Sequence, residues 1–235
     1  MLDPRKGGQI FISGKKGFGK SVLARRLFDS YPFDRLVLDV TGDLTEDFRR
    51  DGVPFQRLTP DALPLRFPRD PEGGRTTLVL APDMGNHDEA VDQMDRGVGL
   101  ALDNPPTLIW CDEVGEYSIA GRTPPNLRRL LHHGRHRKAF SLLCGPRAMA
   151  VDPLCISQAD AVATFKTPNP ADRRRIAENI GWPPREFDAA VHALRRYEYL
   201  WYDAGAETEE LLHMPPLPPK NPDMEEVARG EMERV

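Results

Sequence analysis

Short apolar runs alternate along the chain with stretches of helical spacing, the pattern of strands and helices taken in turn. Ile10 to Ile12 is the first run, and Val22, Leu23 and Leu27 then fall on one helical face that Ser30-Tyr31-Pro32 closes. Arg35 to Val40 predicts a strand ending in the turn Thr41-Gly42-Asp43, so these two strands and their helix are expected to form a parallel βαβ unit. Gly52 to Gly74 is rich in proline and predicts an irregular excursion with a short strand near Pro54 to Leu58. Thr76 to Ala81 predicts a strand, and Val91, Met94, Val98 and Leu102 predict a helix from about His87 to Leu102. Thr107 to Cys111 is apolar throughout, as a parallel strand buried on both faces has to be.

The second half continues the alternation. Thr123-Pro124-Pro125 predicts a threonine-capped helix running through Leu127, Leu130 and Leu131 to Gly134. Phe140 to Cys144 and Ala161 to Thr167 are further strands. Asn169-Pro170-Ala171-Asp172 opens a helix ending near Gly181, and another is expected from Glu186 to Arg195 with Phe187, Ala190, Val191 and Leu194 on one face. The aromatic strand Tyr197 to Tyr202 is expected to close the sheet. Residues 1–206 thus form one domain. Residues 207–235 form a tail carrying Pro215, Pro216, Pro218, Pro219 and Pro222 before an acidic end.

The join between the first strand and the first helix carries the most specific chemistry. Gly14-Lys15-Lys16-Gly17-Phe18-Gly19-Lys20-Ser21 fits G-x-x-x-x-G-K-[ST] between a strand and a helix, the context that a phosphate-binding loop requires. The glycines let the backbone wrap an anion, so that N–H groups and the helix N-terminus face the β-phosphate. Lys20 then reaches the β- and γ-phosphates and the Ser21 hydroxyl ligates Mg²⁺. A glycine-rich turn matching by accident is the bland alternative. Eight residues precede Gln9, so the loop is expected in the first and main domain, with no barrel or anchor ahead of it.

Composition narrows the class. In 235 residues, 40% hydrophobic and 29% charged describe a globular chain, not a disordered one. No apolar run approaches the length of a membrane span, and the N-terminus has no signal-like region, so the expected compartment is the cytoplasm. Cys111, Cys144 and Cys155 are odd in number and lack C-x-x-C spacing, which points to small core residues. A net charge of −4 argues against a uniformly basic nucleic-acid coat.

Two further groups change the picture. Asp112-Glu113 follows Thr107 to Cys111 in the form of a Walker B element, the first carboxylate for Mg²⁺ and the second to orient and deprotonate an attacking water. That pair favours hydrolysis over nucleotide binding alone. Arg122, Arg128, Arg129, Arg135, Arg137, Lys138 and Arg147 follow one another with no acidic residue between Arg122 and Arg147. Such a stripe suits an exposed helix face, an arginine finger reaching a neighbouring subunit, or contact with DNA phosphates. His132 and His136 have i, i+4 spacing, but Gly134 intervenes and no third ligand stands nearby.

The constellation resembles the FtsK/HerA superfamily of P-loop ATPases, especially the short genome-packaging ATPases of double-stranded DNA viruses and phages. The resemblance spans Gln9 to about Tyr202 and rests on GKKGFGKS, TLIWCDE, GRHRKAFSLLCGPR and SQADAVATFKTPNPADRRRI. It implies a RecA-like α/β fold with a central, mostly parallel sheet flanked by helices, using ATP and Mg²⁺. It implies Lys20 and Ser21 at the phosphate and Mg²⁺ positions, Asp112 and Glu113 as the Walker B pair, and Arg135 acting in trans, with Arg137 as its substitute. The family's polar sensor position is occupied here by Cys144-Gly145-Pro146-Arg147, leaving Arg147 as the nearest polar group. The resemblance further implies a ring, usually a hexamer, around double-stranded DNA, with Arg122, Arg128, Arg129 and Lys138 as candidate DNA contacts. A capsid vertex or a membrane protein is a possible docking partner. Genome packaging is the leading function. A plasmid-transfer, DNA-processing or filamentous-phage assembly ATPase, a nucleotide-dependent scaffold without motor activity, and a small-molecule phosphotransferase are the alternatives.

Overall fold

The computed structural model describes residues 6–68, 73–206 and 211–216. Strands β1 (Gly8–Ser13), β2 (Asp34–Leu38), β3 (Gln56–Arg57), β4 (Thr77–Leu80), β5 (Thr107–Cys111), β6 (Ala139–Gly145) and β7 (Ala161–Phe165) all pair in parallel. β8 (Tyr199–Asp203) and β9 (Leu211–Met214) are added antiparallel. The order across the sheet is β3-β4-β2-β5-β6-β1-β7-β8-β9. Consecutive parallel strands need crossovers, and α1 (Lys20–Ser30), α2 (Asp43–Arg50), α3 (His87–Leu102), α4 (Pro125–His133), α5 (Leu154–Ser157), α6 (Pro170–Asn179) and α7 (Pro184–Ala193) lie between or beside them.

Alternate residues of each strand feed two cores. Ile10, Ile12, Val37, Leu108, Trp110 and Leu142 pack beneath α1 and α2 with Leu23, Phe28, Leu44 and Phe48. Phe11, Leu36, Leu38, Ile109 and Leu143 face the other way, against Met94, Val98, Leu127, Ile176 and Phe187 of α3, α4, α6 and α7. The strands are mostly apolar because both faces are covered, although Gln9, Arg35, Ser141 and Thr164 are buried within them. All three cysteines are buried and free, as their spacing suggested.

The expected α/β class and the central mostly parallel sheet are present. The parallel relation expected of β1 and β2 is itself present, with β6 and β5 between them. Several local expectations are corrected. Thr123 does not cap α4: its hydroxyl donates to Asp152 Oδ2 at 2.7 Å, and Pro124 stands at the cap position. The orphan amides of Asn126 and Leu127 are instead taken by Asp95 of α3, at 3.2 and 2.9 Å, a tertiary cap invisible to local pattern.

Sequence periodicity also missed α2, whose buried residues are Leu44, Thr45 and Phe48 among charges. Asp39 caps it, accepting from Gly42 N, Thr45 N and Thr45 Oγ1. The aromatic strand does not close the sheet. β9 pairs with β8 beyond residue 206, where the tail was expected to begin. Of the tail prolines, Pro218, Pro219 and Pro222 lie outside the described residues, as does the acidic end.

The aromatic cluster of Phe28, Phe48 and Trp110 ties α1 and α2 to β5, with ring centroids 5.3 to 6.3 Å apart. Phe28→Ala is expected to cost about 3–5 kcal/mol of unfolding free energy by urea denaturation. Leu65→Ser, at a residue 94% exposed, should stay within about 0.5 kcal/mol of the parent.

Candidate nucleotide site

Parallel strands bring their C-terminal ends to one edge of the sheet, where the loop leaving β1 turns into α1. Gly14, Gly17 and Gly19 have φ of 146°, 82° and 116°, in the region that strains any residue with a Cβ. A Cβ on Gly14 would stand 2.5 Å from Phe165 Cβ, and one on Gly19 would stand 2.8 Å from Phe165 Cε1. At Gly17 a Cβ would meet nothing, so glycine there serves conformation alone. Lys15 N donates to Lys166 O at 2.8 Å and fastens the loop to the end of β7.

α1 begins on Gly19 with no side-chain cap and no acidic residue in its first turn. Its first amides and the positive end of its dipole are therefore left for an anion. Lys20 Nζ donates to Gly14 O at 2.8 Å, folded across the loop. Burial lowers its pKa, against the opposing pull of Glu113, Cys144 and Asp112.

Asp112 and Glu113 leave the end of β5 beside this loop. Asp112 N donates to Leu38 O at 3.1 Å, extending the strand pairing by one residue, and Glu113 takes φ 47°, in the left-handed region. Burial pushes the Asp112 carboxyl up to about 7, reinforced by Glu113 and Asp39 and opposed by Lys20. Glu113 is raised too, chiefly by burial. Both carboxylates line one cleft of about 530 Å³ with Lys16, Gly17, Gly19, Lys20 and Ser21.

A cation fits this donor set. Glu113, Asp39 and Asp43 add to the upward push that burial gives the Asp112 carboxyl, and Lys20 opposes it. Ser21 and Asp112 are the side chains that could hold Mg²⁺. Among the described residues no group of three or more His, Cys, Asp or Glu could hold a metal. The ion would then share phosphate and water ligands, as Mg²⁺ does at nucleotide sites.

The basic stripe is not one surface. β6 runs between its parts, so Arg135, Arg137 and Lys138 lie at the edge opposite the phosphate loop, while Arg147 follows the near end of the strand. At about 3.3 Å per residue the two groups stand about 20 Å apart along β6. Arg135 Nη2 pairs with Asp160 Oδ1 at 2.8 Å, Arg137 reaches Asp103 at 3.7 Å, and Arg147 reaches the buried Asp172 at 3.6 Å. Arg129 shares Asp103 at 3.7 Å, whereas Arg122, Arg128 and Lys138 are exposed. The acidic partners come from other elements, which is why the sequence interval carries none. Cys144 lies buried at the end of β6, its thiol pushed well up by burial and by Asp112, and so stays neutral.

Residues missed by the motifs also reach the cleft. Thr41, Asp43, Glu46, Asp47 and Arg50 come from the start and exposed face of α2, and Arg196 and Tyr197 from the turn before β8. Asp39, a carboxylate ending a strand, had a local signal. Arg196 and Tyr197, some 180 residues from the loop, had none.

A parallel sheet, a glycine loop entering a helix and two carboxylates at the end of a neighbouring strand define the P-loop NTPase fold. More particularly, the fold is shared with the following proteins of solved structure. The genome packaging NTPase B204 of Sulfolobus turreted icosahedral virus 2, in complex with AMPPCP, superposes with a TM-score of 0.65 over 92% of this chain and 100% of that one, at 19% identity. VirB4 of Thermoanaerobacter pseudethanolicus gives 0.64 over 94% and 92%, at 12% identity. ATPases 2 and 3 of EssC from Geobacillus thermodenitrificans give 0.56 over 100% of this chain and 44% of that one, at 16% identity. In sequence, the uncharacterized protein 088R of Invertebrate iridescent virus 3 is 28% identical over 181 residues, 76% of this chain, which spans 61% of that protein. No protein-family model matches.

Gly14→Ala should abolish nucleotide binding measured by calorimetry and lower the melting temperature, since both φ and Phe165 oppose a methyl group. A carboxyl raised from 3.8 to about 7 on folding contributes stability that is complete below pH 3.8 and is lost as pH rises through 7. Without Mg²⁺, the melting temperature of Asp112→Asn should therefore fall less between pH 5 and pH 8 than that of the parent. Mg²⁺ at pH 8 should stabilise the parent more than the variant.

Proposed function

We propose that the chain is an ATP-hydrolysing motor that translocates double-stranded DNA, of the kind that packages a viral genome into a preformed capsid. The observation that carries this reading is the convergence of the phosphate loop, Asp112 and Glu113 on one cleft. The fold likeness to B204, described as a genome packaging NTPase, supports the packaging task.

In this reading the loop amides and Lys20 hold the β- and γ-phosphates, and Ser21 and Asp112 hold Mg²⁺. When bound, the ion neutralises charge on the phosphates during cleavage. Glu113 orients a water toward the γ-phosphate and takes its proton, a role that its raised pKa favours. Arg135 lies too far from its own loop to take part, so hydrolysis would draw it from a neighbouring subunit, with Asp160 releasing it. That requirement supports an oligomer, and a ring, hexameric in the resembling family, satisfies it with every site shared. Exposed Arg122, Arg128 and Lys138, with Arg129, supply positive charge for DNA phosphates. Such a motor would act in the host cytoplasm or at a virion vertex. Among the described residues no helix is long and apolar enough to cross a membrane.

Glu113→Gln is expected to keep ATP affinity and to lower turnover by about 10²- to 10⁴-fold in a phosphate-release assay. Double-stranded DNA should bind the parent and stimulate its hydrolysis; ATP turnover without either would replace the motor by a nucleotide-dependent scaffold. Arg135→Ala should also lose turnover while binding ATP. Mixing it with Lys20→Ala should restore part of the rate, because one subunit would supply an intact loop and the other an intact arginine.

A further inference from the structure

The turn between α7 and β8 carries a pair of residues that no motif accounts for. Arg196 Nε donates to Gly17 O at 3.2 Å, and its guanidinium lies over the Tyr197 ring, 5.1 Å from the centroid. Tyr197 N donates to Phe18 O at 3.2 Å, and a Cβ on Gly19 would come within 3.1 Å of Tyr197 Cδ1. The aromatic ring is thus laid against the glycine that starts α1, with the guanidinium over its face. Tyr197 has φ 68°, a conformation that a bulky residue adopts only where its surroundings impose it.

The turn is fastened on its far side as well. Glu198 accepts from Arg195 N at 2.8 Å and hydrogen-bonds with His213 Nε2 of β9 at 3.2 Å. Arg196 and Tyr197 both line the cleft that holds Lys20, Asp112 and Glu113.

Strand order gives the cleft a direction. β5, which delivers the two carboxylates, lies two places to one side of β1, and β8, which follows the turn, lies two places to the other. A triphosphate whose terminal group met Lys20, Asp112 and Glu113 would cross the loop and project its nucleoside toward Arg196 and Tyr197. The guanidinium already donates to a loop carbonyl and is exposed, while the ring beneath it is half-buried. Such a planar, weakly hydrated cation stacks well on π-systems. We propose that Arg196, backed by Tyr197, is the nucleoside subsite of this chain and holds the base by stacking. The inference rests on the nucleotide reading of the phosphate loop, and it adds a nucleoside-binding residue to that site.

The test compares two ligands on the intact chain with Mg²⁺: AMPPCP, which carries a nucleoside, and inorganic tripolyphosphate, which does not. By calorimetry, Arg196→Ala should weaken AMPPCP about tenfold, on the scale of a stacking contact, and leave tripolyphosphate unchanged. Arg196→Lys, which keeps the charge and loses the plane, should weaken AMPPCP nearly as much. Melting curves of both variants should overlay the parent, because Arg196 is exposed. An equal loss for both ligands would make Arg196 a phosphate contact and overturn the proposal, as would undiminished AMPPCP affinity in Arg196→Ala. A parent that binds the two ligands equally well would remove the nucleoside subsite while leaving the phosphate loop standing. A parent that binds neither would remove the nucleotide reading itself.

Discussion

The backbone of Gly14 and Gly19 lies against Phe165 closer than any side chain would permit, and the phosphate edge depends on that contact. Phe165 is fully buried at the end of β7 and packs on Tyr199 with centroids 5.0 Å apart, so it cannot yield. The loop is therefore pressed into a form that leaves the N-terminus of α1 without a side-chain cap, and Lys166 pins it by accepting from Lys15 N. Local glycine freedom makes this form accessible. Packing on β7 selects it.

The same edge gathers ionisable groups that are largely withdrawn from solvent. Asp39, Asp112 and Glu113 end two strands that are adjacent in space, β2 and β5, and register places Leu38 opposite Cys111. Asp39 spends its oxygens on the start of α2, whereas Asp112 and Glu113 remain turned to the cleft beside Lys20. Burial then raises the pKa of both carboxyls and lowers that of the lysine. Each shift disfavours the charged form, and a bound cation with phosphates would reverse that balance. The backbone thus leaves an uncapped helix terminus at the glycines, with two carboxyls turned to the same cleft.

Legibility in the sequence followed the range of the interaction responsible. Buried parallel strands such as Thr107–Cys111 and the helix His87–Leu102 were readable to the residue, because apolar runs and helical spacing are written locally. α2 was not, since its stability comes from two buried apolar side chains and the Asp39 cap. The cap of α4 was misassigned for a related reason: Asp95, thirty residues upstream, takes the amides that Thr123 was expected to take. β9 is four residues long with little pattern of its own, and its pairing with β8 defines it.

The sequence by itself determined the α/β class and placed the glycine-rich loop and the pair Asp112-Glu113 at the ends of strands, because each is a contiguous run written locally. Only the tertiary structure decided what stands around them. It placed the loop and the carboxylates on one edge, although β6 separates β1 from β5. It divided the arginines between two edges with β6 between them, pairing Arg135 with Asp160 and Arg147 with Asp172. It also brought Arg196 and Tyr197 onto Gly17 and Gly19 from the far end of the chain. Strand order sets those distances, and strand order is the sum of many non-local pairings that no short window of residues records.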